Sequence, residues 1–313
     1  MQDQAAYLAR RRMALYGWML LAPALILLIT FAFIPAIETF YASLFSKGTI
    51  RRPSRFDPAF RKVVVNNLIY AGVTIPVSIA MALGMALWAN AQIVGRGFVR
   101  AAYFTPTMLP MIAAANLWLF FYTPDLGVID RITALFGFPS VNWLGQQETA
   151  LYSVIGVTIW KEAGFYMIFY LAALQTISPD LREAATVEGA GRWTYTRRVV
   201  LPLLAPTTMF VLVNALINSV KLIDHLFILT KGGPDNASKL ILYWVWEMAF
   251  AYFDTHLAAT MTVLILLVLG IVATIQFAVL ERRVPYRLEG PPPNPPLLGR
   301  SPLPPPLRWG GGV

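Results

Sequence analysis

The sequence predicts an all-α membrane protein with six transmembrane helices. Hydrophobic residues make up 57% of the 313-residue chain, charged residues only 13%, and the mean hydropathy is +0.59. A soluble domain carries about 25% charged residues, so this composition indicates a chain that lies in a lipid bilayer. Six apolar segments are also long enough, at roughly 20 residues or more, to cross the hydrocarbon core as helices.

We place the six spans at residues 13 to beyond 35, and at about 66–90, 101–122, 150–174, 203–223 and 258–280. The first span follows residues 1–12, which end in three arginines and are expected to form a cytoplasmic N-terminus. It is too long for the core of a signal peptide, so it is expected to be retained. Pro35 is expected to bend this span or mark its edge, and Pro106 and Pro110 lie near the start of the third.

The connections between the spans differ in character. Residues 123–149 form a polar segment rich in turn residues, and residues 224–257 form the longest loop. Within that loop, residues 240–250 are aromatic and apolar but short, so we expect them at the membrane interface or packed on the spans. Residues 13–287 thus make up one six-helix domain. Residues 288–313 are rich in Pro and Gly and are expected to be a disordered tail.

An even number of spans places both termini on one side of the membrane. The positively charged residues favour a cytoplasmic position for both termini, because the segments then inside carry more of them than the segments outside. The basic loop at residues 47–62 would lie outside and opposes this orientation. In the alternative orientation, the charged segment between the fourth and fifth spans lies outside instead.

Several kinds of site are excluded by residue types and motifs that the sequence lacks. It has no Cys, which excludes disulfides, thiol catalysis and zinc sites of the Cys type, and its two histidines are too few for a His-rich metal site. No G-x-x-x-x-G-K-[ST] motif occurs, so we expect no ATP hydrolysis and no cofactor in this chain. The absence of H-E-x-x-H and G-x-S-x-G leaves nothing that proposes an enzyme. The net charge is +9, and we expect the arginines near the membrane surface to face anionic lipid rather than to bind nucleic acid.

The most polar segment between two spans is Ser178–Pro202. It is expected to form a helix, a turn and a second helix. Ser178 can cap the first helix ahead of Pro179, which suits a first helical turn. Gly189 permits the turn, and residues 192–201 are expected to form a basic amphipathic helix. The alternative is a solvated loop at the bilayer surface.

This segment resembles the signature loop of permease subunits in binding-protein-dependent ABC importers. The signature reads E-A-A, then Gly, then L-P, and its residues here are Glu183, Ala184, Ala185, Gly189, Ala190, Leu201 and Pro202. Glu188 stands where the family often has Asp. The resemblance covers roughly residues 15–287. The Gly232-Gly233-Pro234 turn and the closing Glu281-Arg282-Arg283 are similar to the sugar and glycerol-phosphate branch.

The resemblance implies a fold, partners and a mechanism. The fold is that of a type I ABC importer permease, in which the Glu183–Pro202 loop forms a cytoplasmic coupling helix that docks on a separate ATPase. The implied partners are a second and different permease, two ATPase subunits that bind ATP and Mg, and an extracellular or periplasmic binding protein. The implied location is a bacterial cell membrane, with both termini cytoplasmic, and the implied cargo is a carbohydrate or related polar solute.

Polar residues inside the spans are candidates for the solute path, because ionisable groups in a membrane usually face a cavity or a partner helix. They are Lys161, Glu162, Asn214, Asn218, Lys221, Asp224 and His225. Lys161 and Glu162 are neighbours in sequence and need not pair with each other. The spacings of four, three and four from Asn214 to His225 place these residues on one face of a helix. Asn side chains also hydrogen-bond helices together, and residues near the outer end can reach water, so both alternatives stay open.

One other class of transporter has to be considered. A secondary transporter without an ATPase usually contains internal repeats or broken helices with ion sites at mid-membrane. The sequence shows no clear repeat, and acidic residues within the spans are scarce.

Overall fold

In the computed structural model, residues 2–44, 58–91 and 95–283 are described, and this part of the chain consists of helices and the turns between them. The helices are, in chain order, α1 (Gln2–Leu28), α2 (Ile34–Leu44), α3 (Pro58–Asn90), α4 (Arg96–Met108), α5 (Met111–Phe121), α6 (Val128–Leu135), α7 (Gln147–Gln175), α8 (Pro179–Val187), α9 (Arg192–Tyr195), α10 (Leu201–Leu203), α11 (Ala205–Lys221), α12 (Asp224–Leu229), α13 (Ile241–Trp246) and α14 (Thr255–Arg283). The all-α prediction is therefore confirmed. The predicted tail at 288–313 and most of the basic loop at 47–62 lie outside the described residues.

Among the described residues, five segments are long and apolar enough to cross a membrane. They are Met13–Leu44, Pro58–Asn90, Gln147–Gln175, Ala205–Leu229 and Thr255–Gln276. A sixth span is reached when α4 and α5 are counted together, although these two helices meet at an angle of 102°. The predicted total of six spans thus includes one that is sharply broken.

The third span, predicted at about residues 101–122, is not one continuous helix. The helix ends at Met108, Leu109 is extended with a ψ of 134°, and a new helix begins at Met111. Pro110 explains the break, because its ring disfavours the α conformation in the residue before it. Pro106 is accommodated inside α4.

A π-helical turn precedes a proline at two places. One, at Ile29–Phe33, joins α1 to α2 and lies two residues before Pro35. The other, at Thr196–Val200, joins α9 to α10 and lies two residues before Pro202. Proline cannot donate a backbone hydrogen bond, and a widened turn lets the helix continue past it. The first span consequently runs on to Leu44 without interruption.

The centre of the fold is the packing of α3 against α7. The buried face of α3 includes a row of residues spaced four apart: Asn66, Tyr70, Thr74, Ser78, Ala82 and Ala86. At one end of this face, Ala82 and Ala86 share a cluster with Tyr166 and Tyr170 of α7. Small residues opposite large aromatic ones allow the two helices to approach closely.

The short apolar helix α13 packs on the spans. Tyr243, Trp244 and Val245 are buried, and Trp244 shares a cluster with Val63 of α3 and Ala258 of α14. Of the two positions expected for residues 240–250, at the membrane interface or packed on the spans, the structure shows packing on the spans. In contrast, no residue of the span Met13–Leu44 is buried within this chain.

Candidate coupling loop and membrane-depth polar residues

The helix α8 has well-formed ends on both sides. At its start, the Ser178 hydroxyl accepts a hydrogen bond from the Asp180 backbone N–H at 3.3 Å, as the capping prediction requires. At its end, the Gly189 N–H donates to the Thr186 carbonyl at 3.0 Å and the Ala190 N–H donates to the Ala185 carbonyl at 2.9 Å. These two bonds form a Schellman motif.

The Schellman motif explains why a glycine stands at position 189. Its φ is +76°, in the left-handed region that glycine adopts without steric cost. A Cβ atom at this position would have no heavy atom within 4 Å. The constraint on Gly189 is therefore conformational, and the space beside it is open to a partner.

The loop Ser178–Pro202 exposes apolar as well as charged side chains. No residue of α8 is buried. Val187 is 89% exposed and Trp193 is 73% exposed, and Leu181 is also exposed. Exposed apolar side chains on a charged, rigid segment are typical of a surface that contacts another protein. Glu183, Ala184 and Glu188 lie on this surface.

The second half of the loop is anchored in the core. Helical structure continues from Arg192 through Leu203 in three pieces, where one basic helix over 192–201 was predicted. Val200 is buried and packs in a cluster with Tyr195 and Leu204. Leu201 and Pro202 directly follow this anchor and lead into α11.

Lys161 lies at the break in the third span. Its Nζ donates to the carbonyls of Leu109 and Pro106, the latter at 3.4 Å. The last carbonyls of a helix have no partner within the helix, and in a membrane core water is not available to satisfy them. Lys161 thus satisfies the open end of α4.

Glu162, the next residue, faces α11. Its carboxylate accepts a hydrogen bond from Asn218 Nδ2 at 2.8 Å, and the same amide lies 3.4 Å from the Tyr166 hydroxyl. No ion pair joins Glu162 to Lys161 among the described residues. The expectation that these two neighbours need not pair with each other is confirmed.

The predicted single polar face on the fifth span is interrupted. The helix α11 ends at Lys221, Leu222 has a ψ of 98°, and α12 begins at Asp224. Asn214 hydrogen-bonds to the Phe210 carbonyl of its own helix. Lys221 and Asp224 are exposed. The prediction of one stripe from Asn214 to His225 is wrong because the helix breaks before His225.

His225 is fully buried, whereas the sequence placed it near water. Its Nε2 lies 3.2 Å from the Thr158 hydroxyl, which also lies 2.9 Å from the Tyr70 hydroxyl. The imidazole stacks on the Tyr70 ring with centroids 6.2 Å apart. Sequence analysis missed Thr158 and Tyr70, although the four-residue repeat of polar and small residues on α3 is a signal that could have identified the latter.

The membrane-depth polar residues enclose very little space. A cavity of ≈ 10 Å³ lies among Thr74, Ser78, Thr158, Glu162 and Asn218. Binding pockets for small molecules typically measure about 300–1,000 Å³. The space among these residues is therefore too small to hold a sugar.

The loop between α5 and α7 is built around a buried acid, Asp130. Its carboxylate accepts hydrogen bonds from Ser140 Oγ at 2.5 Å, Trp143 Nε1 at 2.6 Å and the Asp125 N–H at 2.9 Å. The hydrogen bond from Ser140 is the main reason that the pKa of Asp130 is below its usual range. This network joins both ends of the loop, at Asp125 and at Ser140 and Trp143, to one carboxylate.

We expect Asp130→Asn to loosen this loop by about 2 kcal/mol, because an amide cannot accept from all three donors. Hydrogen exchange of residues 123–146 should become faster. Asp125→Asn is the matched control, since Asp125 is exposed, and it should leave exchange unchanged. Equal exchange in both variants would contradict the assigned role.

The stabilisation by Asp130 also depends on pH. Because the pKa of the Asp130 carboxyl is lowered in the folded protein, this stabilisation is present above about pH 4 and is lost as the pH falls through the folded pKa.

The chain is similar to transporter subunits over most of its length. Residues 60–286 match the family described as "Binding-protein-dependent transport system inner membrane component". The probable starch degradation products transport system permease protein AmyD of Thermoanaerobacterium thermosulfurigenes is 27% identical, with 86% of this chain and 95% of the relative covered. The sn-glycerol-3-phosphate transport system permease protein UgpA of Agrobacterium fabrum is 29% identical, with 86% and 96% covered.

A solved structure shows the same fold. A chain of a bacterial ABC transporter involved in the import of the acidic polysaccharide alginate superposes with a TM-score of 0.76 and 25% identity. The superposition covers 90% of this chain and 99% of that one. The family match extends over well more than half of the sequence and includes the loop Ser178–Pro202. The chain therefore belongs to the family of membrane components of binding-protein-dependent transport systems, as its resemblance to ABC importer permeases predicted.

Proposed function

We propose that this permease forms, together with a second permease subunit, the path by which a carbohydrate or related polar solute enters a bacterial cell. The relatives carry names that refer to starch degradation products, trehalose and maltose, lactose and sn-glycerol 3-phosphate. An extracellular or periplasmic binding protein delivers the solute, in keeping with the description of the family. Two separate ATPase subunits supply the energy, and they hold the ATP and Mg.

A path between two permeases, rather than within one, agrees with the geometry of the polar residues. The space enclosed by Glu162, Asn218 and their neighbours is only ≈ 10 Å³. Three of the candidate path residues lie on or near the surface of this chain, where a second subunit would complete a path. They are Asn214, Lys221 and Asp224. The other four candidates make contacts between helices and support the walls of that path. They are Lys161, Glu162, Asn218 and His225.

The observation that carries the proposed coupling mechanism is the exposed, rigid helix α8. We place the loop Ser178–Pro202 on the cytoplasmic side, with both chain termini. The ATPase contacts the exposed surface of Glu183, Ala184, Glu188 and Gly189, and the half-buried Ala185 and Ala190 support that surface from behind. Leu201 and Pro202 transmit its movement to α11. A helix with capped ends and open space beside Gly189 suits such a contact, because it docks without first being ordered.

We expect Gly189→Arg to reduce ATP-driven uptake at least tenfold. The substitution strains a left-handed position by about 1–2 kcal/mol and places a bulky cation at the proposed contact. The measurement is uptake of maltose, trehalose, lactose or sn-glycerol 3-phosphate by the reconstituted complex, together with the amount of ATPase that co-purifies. Both should fall.

Gly137→Arg is the matched control for strain. Gly137 has a φ of +81° and likewise has no heavy atom within 4 Å of a Cβ atom, but it lies in the loop between α5 and α7. Its variant should retain the co-purifying ATPase. Uptake at the unaltered rate by a complex that contains Gly189→Arg would disprove the coupling contact. Uptake of none of the four solutes by the unaltered complex would show that its solute is not one of those tested.

A further inference from the structure

A cleft of ≈ 480 Å³ lies behind the coupling loop, on the side that faces the spans. Its walls are the end of α3, the end of α7, and the helices α8 and α9. Asn90 and Gln175, the last residues of the two long spans, line it. Because these residues end the apolar helices, the cleft lies at the depth where lipid headgroups meet the membrane surface.

The cleft is electropositive. Arg182 and Arg192 both line it, and neither forms an ion pair with any other residue in the described part of the chain. No acidic residue is among the described residues that line it. The start of α8, at Ser178 and Pro179, also lines the cleft and adds the positive end of the helix dipole. Guanidinium groups bind phosphate oxygens through paired hydrogen bonds.

The same cleft has an apolar floor. Leu87 of α3, Leu174 of α7 and Val200 line it beside the polar groups. A soluble anion such as inorganic phosphate has no apolar part that could pack against these side chains. An anionic phospholipid has a phosphate that can bind the two guanidinium groups, and a glycerol and acyl chain that can pack on the apolar floor.

We propose that this cleft binds the phosphate of an anionic phospholipid headgroup between Arg182 and Arg192. The acyl chains leave the cleft along the ends of α3 and α7. Ala185 and Ala190, whose backbones form the Schellman motif, line the opposite wall. A bound headgroup therefore lies against the back of the coupling loop and leaves the exposed surface of α8 free. Lipid binding does not depend on whether an ATPase contacts that surface.

The test uses the purified full-length chain in neutral detergent and a soluble probe, dioctanoyl phosphatidylglycerol. Each arginine is expected to contribute about fivefold to the affinity, so Arg182→Gln with Arg192→Gln should weaken binding about 25-fold. Arg197→Gln with Arg198→Gln is the matched control. These two arginines are exposed, belong to the same loop and do not line the cleft, so their removal should change the affinity less than twofold.

Two further probes identify the source of the phosphate. Dioctanoyl phosphatidylcholine, which has the same chains and no net charge, should bind at least tenfold more weakly than the anionic lipid. Inorganic phosphate should not compete at millimolar concentration. Equal loss of affinity in both double variants, or no loss in either, would overturn the site. Effective competition by inorganic phosphate would show an anion site without lipid specificity and would overturn the proposal.

If the Arg182→Gln and Arg192→Gln double variant does not yield folded protein, the double variant with lysine at both positions replaces it. Lysine keeps the charge and loses the paired hydrogen bonds, so binding should weaken by about threefold to tenfold. Unchanged affinity in a folded lysine variant would contradict recognition through guanidinium pairs.

Discussion

Gly164→Ala is expected to destabilise the protein by about 3 kcal/mol or more, the upper end of the cost of overpacking a core. Gly164 is buried in α7, directly against the backbone of α4. A Cβ atom there would overlap the Tyr103 carbonyl oxygen and come within 3.1 Å of Thr107 Cγ2. A backbone carbonyl cannot move aside as a flexible side chain can, so α4 as a whole would have to shift.

The effect is measured by thermal or denaturant unfolding of the purified chain. Gly84→Ala is the matched control, because Gly84 also lies inside a long span, α3, and a Cβ atom there meets nothing within 4 Å. Alanine favours a helix over glycine by up to about 1 kcal/mol, so this variant should be neutral or more stable. The same change from glycine to alanine is therefore expected to lower the free energy of unfolding at position 164 and to leave it unchanged or raise it at position 84. Similar effects at both positions would show that α4 and α7 do not pack as described.

Lys161→Met is expected to destabilise the protein by about 2–3 kcal/mol, because it leaves the end of α4 without a charged donor inside the membrane. The side chains are similar in length, so packing is largely kept. The loss should appear as a lower unfolding temperature and as faster hydrogen exchange near Leu109, whose carbonyl accepts from Lys161.

Lys221→Met is the matched control. Lys221 is exposed at the end of α11, and surface substitutions usually change stability by less than about 0.5 kcal/mol. The same pair separates two roles of Lys161. A lysine that supports the helix break affects stability, whereas a lysine that contacts the solute affects uptake by a protein of unchanged stability. Loss of uptake without loss of stability in Lys161→Met would contradict the assignment to the break.

The helical structure of the loop Ser178–Pro202 was predictable from sequence because its determinants are local. Ser178 caps the helix that begins one residue later, and Gly189 accepts the left-handed conformation that the end of that helix requires. Each of these signals acts over at most five residues, so it can be recognised without knowledge of the rest of the chain. Pro110 could also be identified in the sequence as a residue that disturbs a helix. Whether it bends the span or breaks it could not be predicted, because that depends on which groups hydrogen-bond to the freed carbonyls.

The membrane-depth residues were less predictable because their roles depend on contacts far apart in sequence. Asn218 meets Glu162 from 56 residues away, and Thr158 meets His225 from 67 residues away. Helical spacing alone suggested that Asn214 to His225 form one face. The break at Leu222 turned His225 into the core instead.

Residue types and their order were enough to predict a multi-span helical membrane protein, the position of most of its spans, and the loop that carries the family signature. These properties follow from hydrophobic length and from capping and turn residues, which act locally. The packing of the helices was needed to find that the third span is broken, that Lys161 completes the broken end, and that the space among the mid-membrane polar groups is too small for a sugar. A charged or polar side chain within a membrane must find a partner, and which partner lies within reach is decided by the packing of α3, α4, α7 and α11.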